Sequence, residues 1–296
     1  MPMRIGVLMG GDSKERNVSL NTGIAVIKAC KDLGYDVLEL NFFHNYKKFK
    51  IIMKSCDMIF NALHGGIGEN GEIQKWMYDN DIKFTGSNAG SSFLCMDKSK
   101  CKTIVSRSNF RTPSWNILKT EDENFNIKLP VVVKPNNEGS TFGLSIVKKK
   151  IDLNKAIKFA FKDKNSIIIE KYIKGRELTV TILNNKAYPI IEIIPSHNIY
   201  DYECKYTEGL TKYICPAEVD AVLENNIKKD TEKIFSLLGC KVYGRADYIL
   251  DEKGDYYFLE MNTLPGMTGT SLVPKAVKAK GMAFETLIKN IIELSF

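Results

Sequence analysis

Two acidic segments toward the C-terminus, Gly244-Arg245-Ala246-Asp247 and Leu259-Glu260-Met261-Asn262, offer two carboxylates, an amide oxygen and a guanidinium within a short stretch of chain. The flanking residues 242–250 and 256–261 are rich in β-branched, aromatic and aliphatic side chains, and Asp251-Glu252-Lys253-Gly254-Asp255 between them reads as a hairpin turn. With Lys253-Gly254 as a two-residue turn, Asp247 faces Glu260 and Arg245 faces Asn262, so the four side chains leave one face of the ribbon. Like charges placed opposite each other repel, which calls for a cation or a shared proton. Mg2+ binds one or two carboxylates and completes its shell with waters and phosphate oxygens, and this donor set suits it. The same residues also suit an exposed hairpin in which Arg245 simply neutralises Asp247 and Glu260. Other segments have to decide.

One such segment is Asn136-Asn137-Glu138-Gly139-Ser140-Thr141-Phe142-Gly143, which follows Lys134-Pro135. Glycines let backbone N–H groups turn toward phosphate oxygens, and Ser140 and Thr141 add hydroxyl donors. An ordinary hairpin loop has the same composition. Lys134 sharpens the phosphate reading, because a lysine ending the apolar run Val131-Val132-Val133 is partly buried and needs an anionic partner. Neither the P-loop pattern nor Gly-x-Gly-x-x-Gly occurs, so those two nucleotide motifs lack their required residues.

The elements that must position these groups are legible as alternating patterns. Residues 4–9 read as a buried strand running into Gly10-Gly11, followed by a helix over 19–33 that Gly34 stops, a strand at 37–40, a strand at 58–63 and a helix at 72–79. Strands alternating with helices predict a parallel sheet whose ligands lie beyond the carboxyl ends of its strands, and Glu15 and His64 fall just past such ends. A second region holds a helix near 97–106 and strands at 129–134 and 167–172. A third, from about residue 178, holds strands, a polar and aromatic loop at 196–216, a helix over 221–238 and the acidic hairpin. The expected division is 1–95, 96–178 and 179–296: an α/β domain with a doubly wound parallel sheet, then two α+β domains.

The bulk composition bounds the function. A chain of 296 residues with 44% hydrophobic content buries a sizeable core. No apolar run approaches the roughly 18 residues that span a bilayer, and residues 5–9 are too short for a signal-peptide core, so the expected location is the cytoplasm. Seven cysteines without a Cys-x-x-Cys spacing argue against a disulfide framework and a zinc site, and three histidines leave little for a multi-histidine centre. The net charge of +7 is spread among acidic residues rather than set in a stripe, which speaks against nucleic acid as partner and for anionic small molecules.

These motifs, in this order, resemble the ATP-grasp ligases, and within them the D-alanine-D-alanine ligase family, nearly end to end. Residues 10–19 (GGDSKERNVS) and 62–71 (ALHGGIGENG) are similar to that family's first two signatures. Met96-Asp97-Lys98 and the stretch 134–140 are similar to its central elements. Residues 200–206 (YDYECKY) resemble its mobile loop, and 260–271 (EMNTLPGMTGTS) its C-terminal signature. The resemblance implies an ATP-grasp fold whose second and third domains clamp ATP. It also implies a reaction: ATP phosphorylates the carboxylate of one D-alanine, and the amine of a second D-alanine attacks the acyl phosphate, for peptidoglycan precursor synthesis. By the same resemblance, Asp247, Glu260 and Asn262 hold two Mg2+ ions, with Mn2+ able to replace them. Lys98 and Lys134 bind the α- and β-phosphates, Glu138, Gly139 and Ser140 form the loop over them, and Lys205 reaches the γ-phosphate. Glu170, Lys171 and Ile173 line the adenine and Glu177 the ribose. Glu15 anchors the ammonium of the first D-alanine through a Glu15-Ser140-Tyr206 chain, and His64 donates to its carboxylate. Arg245 and the N–H of Gly266 stabilise the oxyanion, and Ser271 grips the second carboxylate. A homodimer through the N-terminal domain belongs to the same expectation.

Several of these residues have plainer readings: Ser271 as a helix cap, Glu15 as a first-turn charge, Tyr200, Tyr202 and Tyr206 as loop packing. Two positions depart from the family pattern, Asn137 where a basic residue is expected and Tyr172 where Trp is expected. Cys204, beside Lys205, is a thiol that opening of the loop would bare to alkylation and that ATP would protect. The rival functions are a D-alanine-D-lactate ligase, which Tyr206 disfavours, another ATP-grasp carboxylate-amine ligase, and a nucleotide-binding protein without catalysis.

Overall fold

In a computed structural model that describes residues 2–296 other than Asp163, Asn198 and Glu208, the apolar run after Arg4 becomes the middle strand of a parallel sheet. Strand β1 (Arg4–Gly10) lies between β2 (Asp36–Phe42) and β3 (Met58–Asn61). Helix α1 (Arg16–Asp32) makes the crossover from β1 to β2, and the short α2 (Lys50–Lys54) precedes β3. Strand β1 is buried from Ile5 to Gly10, as a parallel strand covered on both faces requires. Past β3 come α3 (Glu72–Asp79) and α4 (Ala89–Met96).

Helix α5 (Lys98–Arg107) starts where Asp97 accepts the N–H of Lys100 at 3.1 Å, a side-chain cap of the usual kind. It leads to an antiparallel sheet ordered β4-β7-β5-β6, from β4 (Trp115–Leu118), β5 (Val131–Pro135), β6 (Ser145–Val147) and, after α6 (Leu153–Phe161), β7 (Ile167–Lys171). Val131, Val133, Ile167 and Ile169 form its core with Ile157 of α6. Alternation then sends Lys134 and Glu170 to the other face, where the register sets Glu170 opposite Val132 and Lys134 opposite Ile168.

The third sheet is ordered β11-β10-β8-β12-β13, with β9 also paired to β8. Its strands are β8 (Gly175–Leu183), β9 (Lys186–Ala187), β10 (Ile191–Pro195), β11 (Thr211–Ile214), β12 (Tyr243–Asp251) and β13 (Tyr256–Asn262). Helix α7 (Tyr202–Tyr206) lies between β10 and β11, α8 (Ala221–Leu237) precedes β12, and α9 (Leu272–Lys278) and α10 (Phe284–Glu293) follow β13. The segment 196–216 is therefore not one long loop: it holds a helical turn and a paired strand, while its Asn198 and Glu208 lie outside the described residues. Leu287, Ile288, Ile291 and Ile292 of α10 belong to one buried cluster with Ile5, Leu8 and Phe60, so the core of the first sheet is not built from residues 1–95 alone.

The β12–β13 turn also differs from the sequence reading. Asp251 and Asp255 close it, with Asp251 N–H on Asp255 O at 2.9 Å, leaving three residues in the turn with Gly254 at φ +85°. That register alone would set Asp247 against Leu259. An irregularity between Asp247 and Tyr248 absorbs one residue of β13, and Asp247 faces Glu260 and Arg245 faces Asn262 after all. A bulge there bends the ribbon where the acidic side chains emerge.

Candidate active site

The acidic face of β12–β13 looks across to the Lys134 face of the second sheet and to the strand ends of the first. Three adjoining cavities occupy the space between them. The first is bounded by Glu15, His64, Ser140, Tyr206, Arg245, Gly266 and Ser271. The second is bounded by Lys98, Lys134, Glu138, Gly139, Lys205, Glu177, Asp247 and Glu260, and shares Lys98, Lys205 and Glu260 with the first. The third and widest, about 490 Å3, is bounded by Glu170, Lys171, Tyr172, Ile173 and Glu177, and shares Lys134 with the second. Every residue expected at the site thus borders one continuous tract; Asn262 lines the first cavity, two residues along β13 from Glu260.

At the first cavity three parts of the chain meet on one carboxylate. Glu15 sits at the N-cap position of α1 but its side chain does not cap the helix. Instead it accepts hydrogen bonds from Ser140 Oγ and, at 3.1 Å, from Tyr206 OH. Gly65, at φ +64°, is needed here, since a Cβ on it would stand 2.8 Å from Glu15 Oε2. Burial, and then the nearby Glu69, push the Glu15 carboxyl above its ordinary value against the pull of Ser140, His64 and Tyr206. A cation placed beside Glu15 and Glu69 would relieve both effects. Glu69 lies inside the 62–71 motif yet was not singled out from sequence; only the fold brings its Oε1 to 3.6 Å from His64 Nδ1. His64 Nε2 meets Thr22 Oγ1 at 2.9 Å, which fixes the ring. Ser271 stands at the N-cap position of α9, but its hydroxyl makes no cap bond. It accepts the N–H of Thr268 at 2.9 Å and packs against Gly266, where a Cβ would come within 2.8 Å of its Oγ.

The second cavity is a charge lattice. Lys98 Nζ donates to Glu138 O at 2.7 Å and stands 3.2 Å from Glu260 Oε2. Burial pushes the Glu260 carboxyl up, but Lys98, Lys134 and Lys205 outweigh it and hold the group at about 2. Asp247 Oδ1 accepts Thr179 Oγ1 at 2.5 Å, and Arg245 spans Asp247 with Nε and Nη2 at 2.9 and 2.8 Å. Arg245 is therefore engaged as the neutraliser of Asp247 while its side chain also lines the first cavity. Asn262 Oδ1 accepts the N–H of Leu264 at 2.9 Å, a local turn bond that sequence reading did not foresee. Glu177, half-buried beside Asp247, is pushed up to about 7 by burial first and then by that neighbour's charge. Thr179, also unanticipated, carries no motif; its role follows from β8 lying beside β12, where Thr179 pairs with Asp247.

Lys134 does find an anion, but one inside the protein: its Nζ lies 2.5 Å from Glu170 Oε1. Burial works against the Glu170 carboxylate, yet Lys102 and Lys134 hold it at about 2. Lys102 was not a candidate from sequence, where it is one of many lysines.

The segment over the cavities is folded down. Asp201 caps α7 by accepting Cys204 N–H at 2.9 Å, Thr141 Oγ1 donates to Tyr200 O at 2.8 Å, and the rings of Phe142 and Tyr202 lie 5.3 Å apart. Among the described residues no carboxylate lies within ion-pair distance of Lys205, whose Nζ rests 5.1 Å from the Tyr200 ring centre. Cys204, in the middle of α7, turns its side chain inward and is buried. His197, Asp201 and Cys204 bring ligand-type atoms within 4.8 Å of one another, but Asp201 is spent on the cap and on His197 Nδ1 at 2.9 Å. Among the described residues no helix is long and apolar enough to cross a membrane.

The geometry offers a buried carboxylate for an ammonium, three lysines and an arginine around a narrow tract, opposed carboxylates on adjacent strands, and a wide half-apolar end. That inventory serves phosphoryl transfer to a carboxylate, where positioning and charge neutralisation dominate. Comparison with known proteins agrees. A family model described as D-ala D-ala ligase C-terminus matches residues 102–293. The D-alanine-D-alanine ligase of Methylacidiphilum infernorum is 39% identical over 296 residues, covering 100% of this chain and 96% of that protein. The crystal structure of D-alanine-D-alanine ligase from Bacillus anthracis superposes with a TM-score of 0.89 at 37% identity, covering 99% of this chain and 97% of that one. A structure of D-alanine-D-alanine ligase from Bacillus anthracis complexed with ATP gives 0.85 at 35% identity, with coverage of 99% and 97%.

Proposed function

The chain belongs to the D-alanine-D-alanine ligase family, and from that membership we propose how its own residues divide the work of joining two D-alanines at the expense of ATP. The carboxylate of the first D-alanine attacks the γ-phosphorus as the bond to ADP breaks. The amine of the second D-alanine then attacks the acyl carbon, loses a proton, and phosphate leaves. The observation that carries this reading is the meeting of Ser140 and Tyr206 on Glu15: it joins the first sheet, the glycine loop and α7 around one carboxylate at the end of a cationic tract.

In this reading Glu15, helped by Glu69, holds the ammonium of the first D-alanine, and His64, its ring fixed by Thr22, donates to the carboxylate side. Lys98 and Lys134 take the inner phosphates. Lys205, without an acidic partner among the described residues, takes the γ-phosphate. Glu170, Lys171 and Ile173 wall the adenine and Glu177 the ribose. Arg245 and Gly266 face the acyl oxygen and Ser271 the second carboxylate. The register that sets Asp247 opposite Glu260 supplies hard anionic oxygens on one face, and these with Asn262 would hold magnesium, which neutralises triphosphate charge when bound. Taking up that role requires Arg245 to yield Asp247 oxygens, which would free the guanidinium for the acyl oxygen. The three sheets read as three domains with divisions near residues 95 and 178. ATP-dependent phosphate release with D-alanine and with L-alanine tests the whole: D-alanine stimulates it, and no stimulation would end the reading.

A further inference from the structure

Lys102 has a relative exposure of 0% and borders none of the three cavities, unlike Lys98 and Lys134. Burying a lysine is expensive, and an apolar residue of similar size would stabilise the fold better. The surroundings do not compensate it fully. Its Nζ stands 2.9 Å from Glu170 Oε2 and 5.3 Å from the centre of the Trp115 ring. Neither that nitrogen nor that oxygen has a well-directed hydrogen-bond partner. Trp115 in turn is held by its Nε1 donating to Ser99 Oγ at 3.2 Å.

What Lys102 does have is a place in a line of charges. Glu170 presents one oxygen to Lys102 and the other to Lys134, so the order is cation, anion, cation. Lys98 and Lys102 are four residues apart on α5, hence on one helix face. The helix thereby delivers one ammonium to Glu260 and the other to Glu170. Without Lys102 the Glu170–Lys134 pair would be neutral, and a phosphate approaching Lys134 would compete with Glu170 for its only cation. With it, the line carries one net positive charge, and that charge lies at the end that opens on the cavities.

We propose that Lys102 is a positioning residue for the nucleotide: it takes the charge of Glu170 from behind, so that Lys134 remains available to a phosphate while Glu170 stays fixed at the wall of the wide cavity. The inference rests on the reading that these cavities hold ATP.

The test is a double-mutant cycle of Lys102→Met and Glu170→Gln, read by calorimetric titration with a non-hydrolysable ATP analogue and Mg2+, and by KM for ATP and for D-alanine. Lys102→Met weakens analogue binding and raises KM for ATP by about tenfold or more, while KM for D-alanine stays within about twofold. In the Glu170→Gln background the same change costs under about threefold, because no anion then competes for Lys134. Equal costs in both backgrounds, as a packing role would give, overturn the inference. So does wild-type analogue affinity in a folded Lys102→Met protein. Should Lys102→Met not fold, the double variant is compared with Glu170→Gln, and a large difference between them overturns it. Failure of the ligase reading is distinguishable: the wild-type protein then binds the analogue but releases no phosphate in response to D-alanine.

Discussion

The two ends of the site are built differently. At the end proposed to take the phosphates, Lys134, Glu170, Asp247 and Glu260 stand on paired strands, and Lys98 and Lys102 on one helix, so their separations are set by sheet register and helix pitch. At the end proposed to take the amino acid, Glu15, His64, Ser140 and Tyr206 come from a turn, a strand exit, a loop and a short helix, and meet only when three parts of the chain close together. Charge held by rigid elements suits a triphosphate common to many enzymes. Recognition shared among separate segments lets binding of one small substrate be coupled to closure.

The widest separation between the ends comes from the carboxylates. Asp247→Asn and Glu260→Gln lower kcat by about 100- to 1,000-fold with an unchanged circular dichroism spectrum. Near-wild-type turnover would remove both from the metal-holding role. At the other end, Tyr206→Phe deletes one donor to Glu15, and KM for D-alanine rises by about tenfold with KM for ATP nearly unchanged. Were both constants to rise together, the two ends would not be separable.

Acidity gives a smaller handle. Burial first, and then the charge of Asp247, push the Glu177 carboxyl up from its ordinary 4.5 to about 7. The folded state thus holds that proton more tightly than the unfolded one. Stability is lost as pH rises from the unfolded value toward 7, and the loss is complete above it. Glu177→Gln accordingly melts several degrees higher than wild type at about pH 8, and the gap narrows toward pH 5. A gap that widened on acidification would contradict the assignment of cause. The smallest effect concerns Cys204: because it is the buried residue of α7, alkylation is slow while that helix stays docked, and ATP slows it further. Modification at the rate of a free thiol with no protection would show that α7 does not stay down.

Sequence carried the strand-borne end further than it carried the contacts. The opposition of Asp247 and Glu260 followed from alternation and a turn, although the assumed turn was one residue short and the irregularity beside Asp247 restored the pairing. Motif order singled out Glu15, Lys98, Lys205 and Arg245, which all line the first cavity. It passed over Glu69, Thr179 and Lys102, whose contacts come from tertiary neighbours and whose residue types are common everywhere. Nor could spacing show that Arg245 spans Asp247 or that Asn262 bonds Leu264, since side-chain rotamers settle those bonds.

Helix α10 gives the fold a schedule. Leu287, Ile288, Ile291 and Ile292 belong to the same core as Ile5 and Leu8, nearly the whole chain apart. On the ribosome β1 emerges well before α10, and the cluster they share closes only after residue 292 has been made. Glu15 sits at the edge of that unfinished core. The end of the site proposed to take the amino acid is thus completed only after synthesis has passed the acidic hairpin.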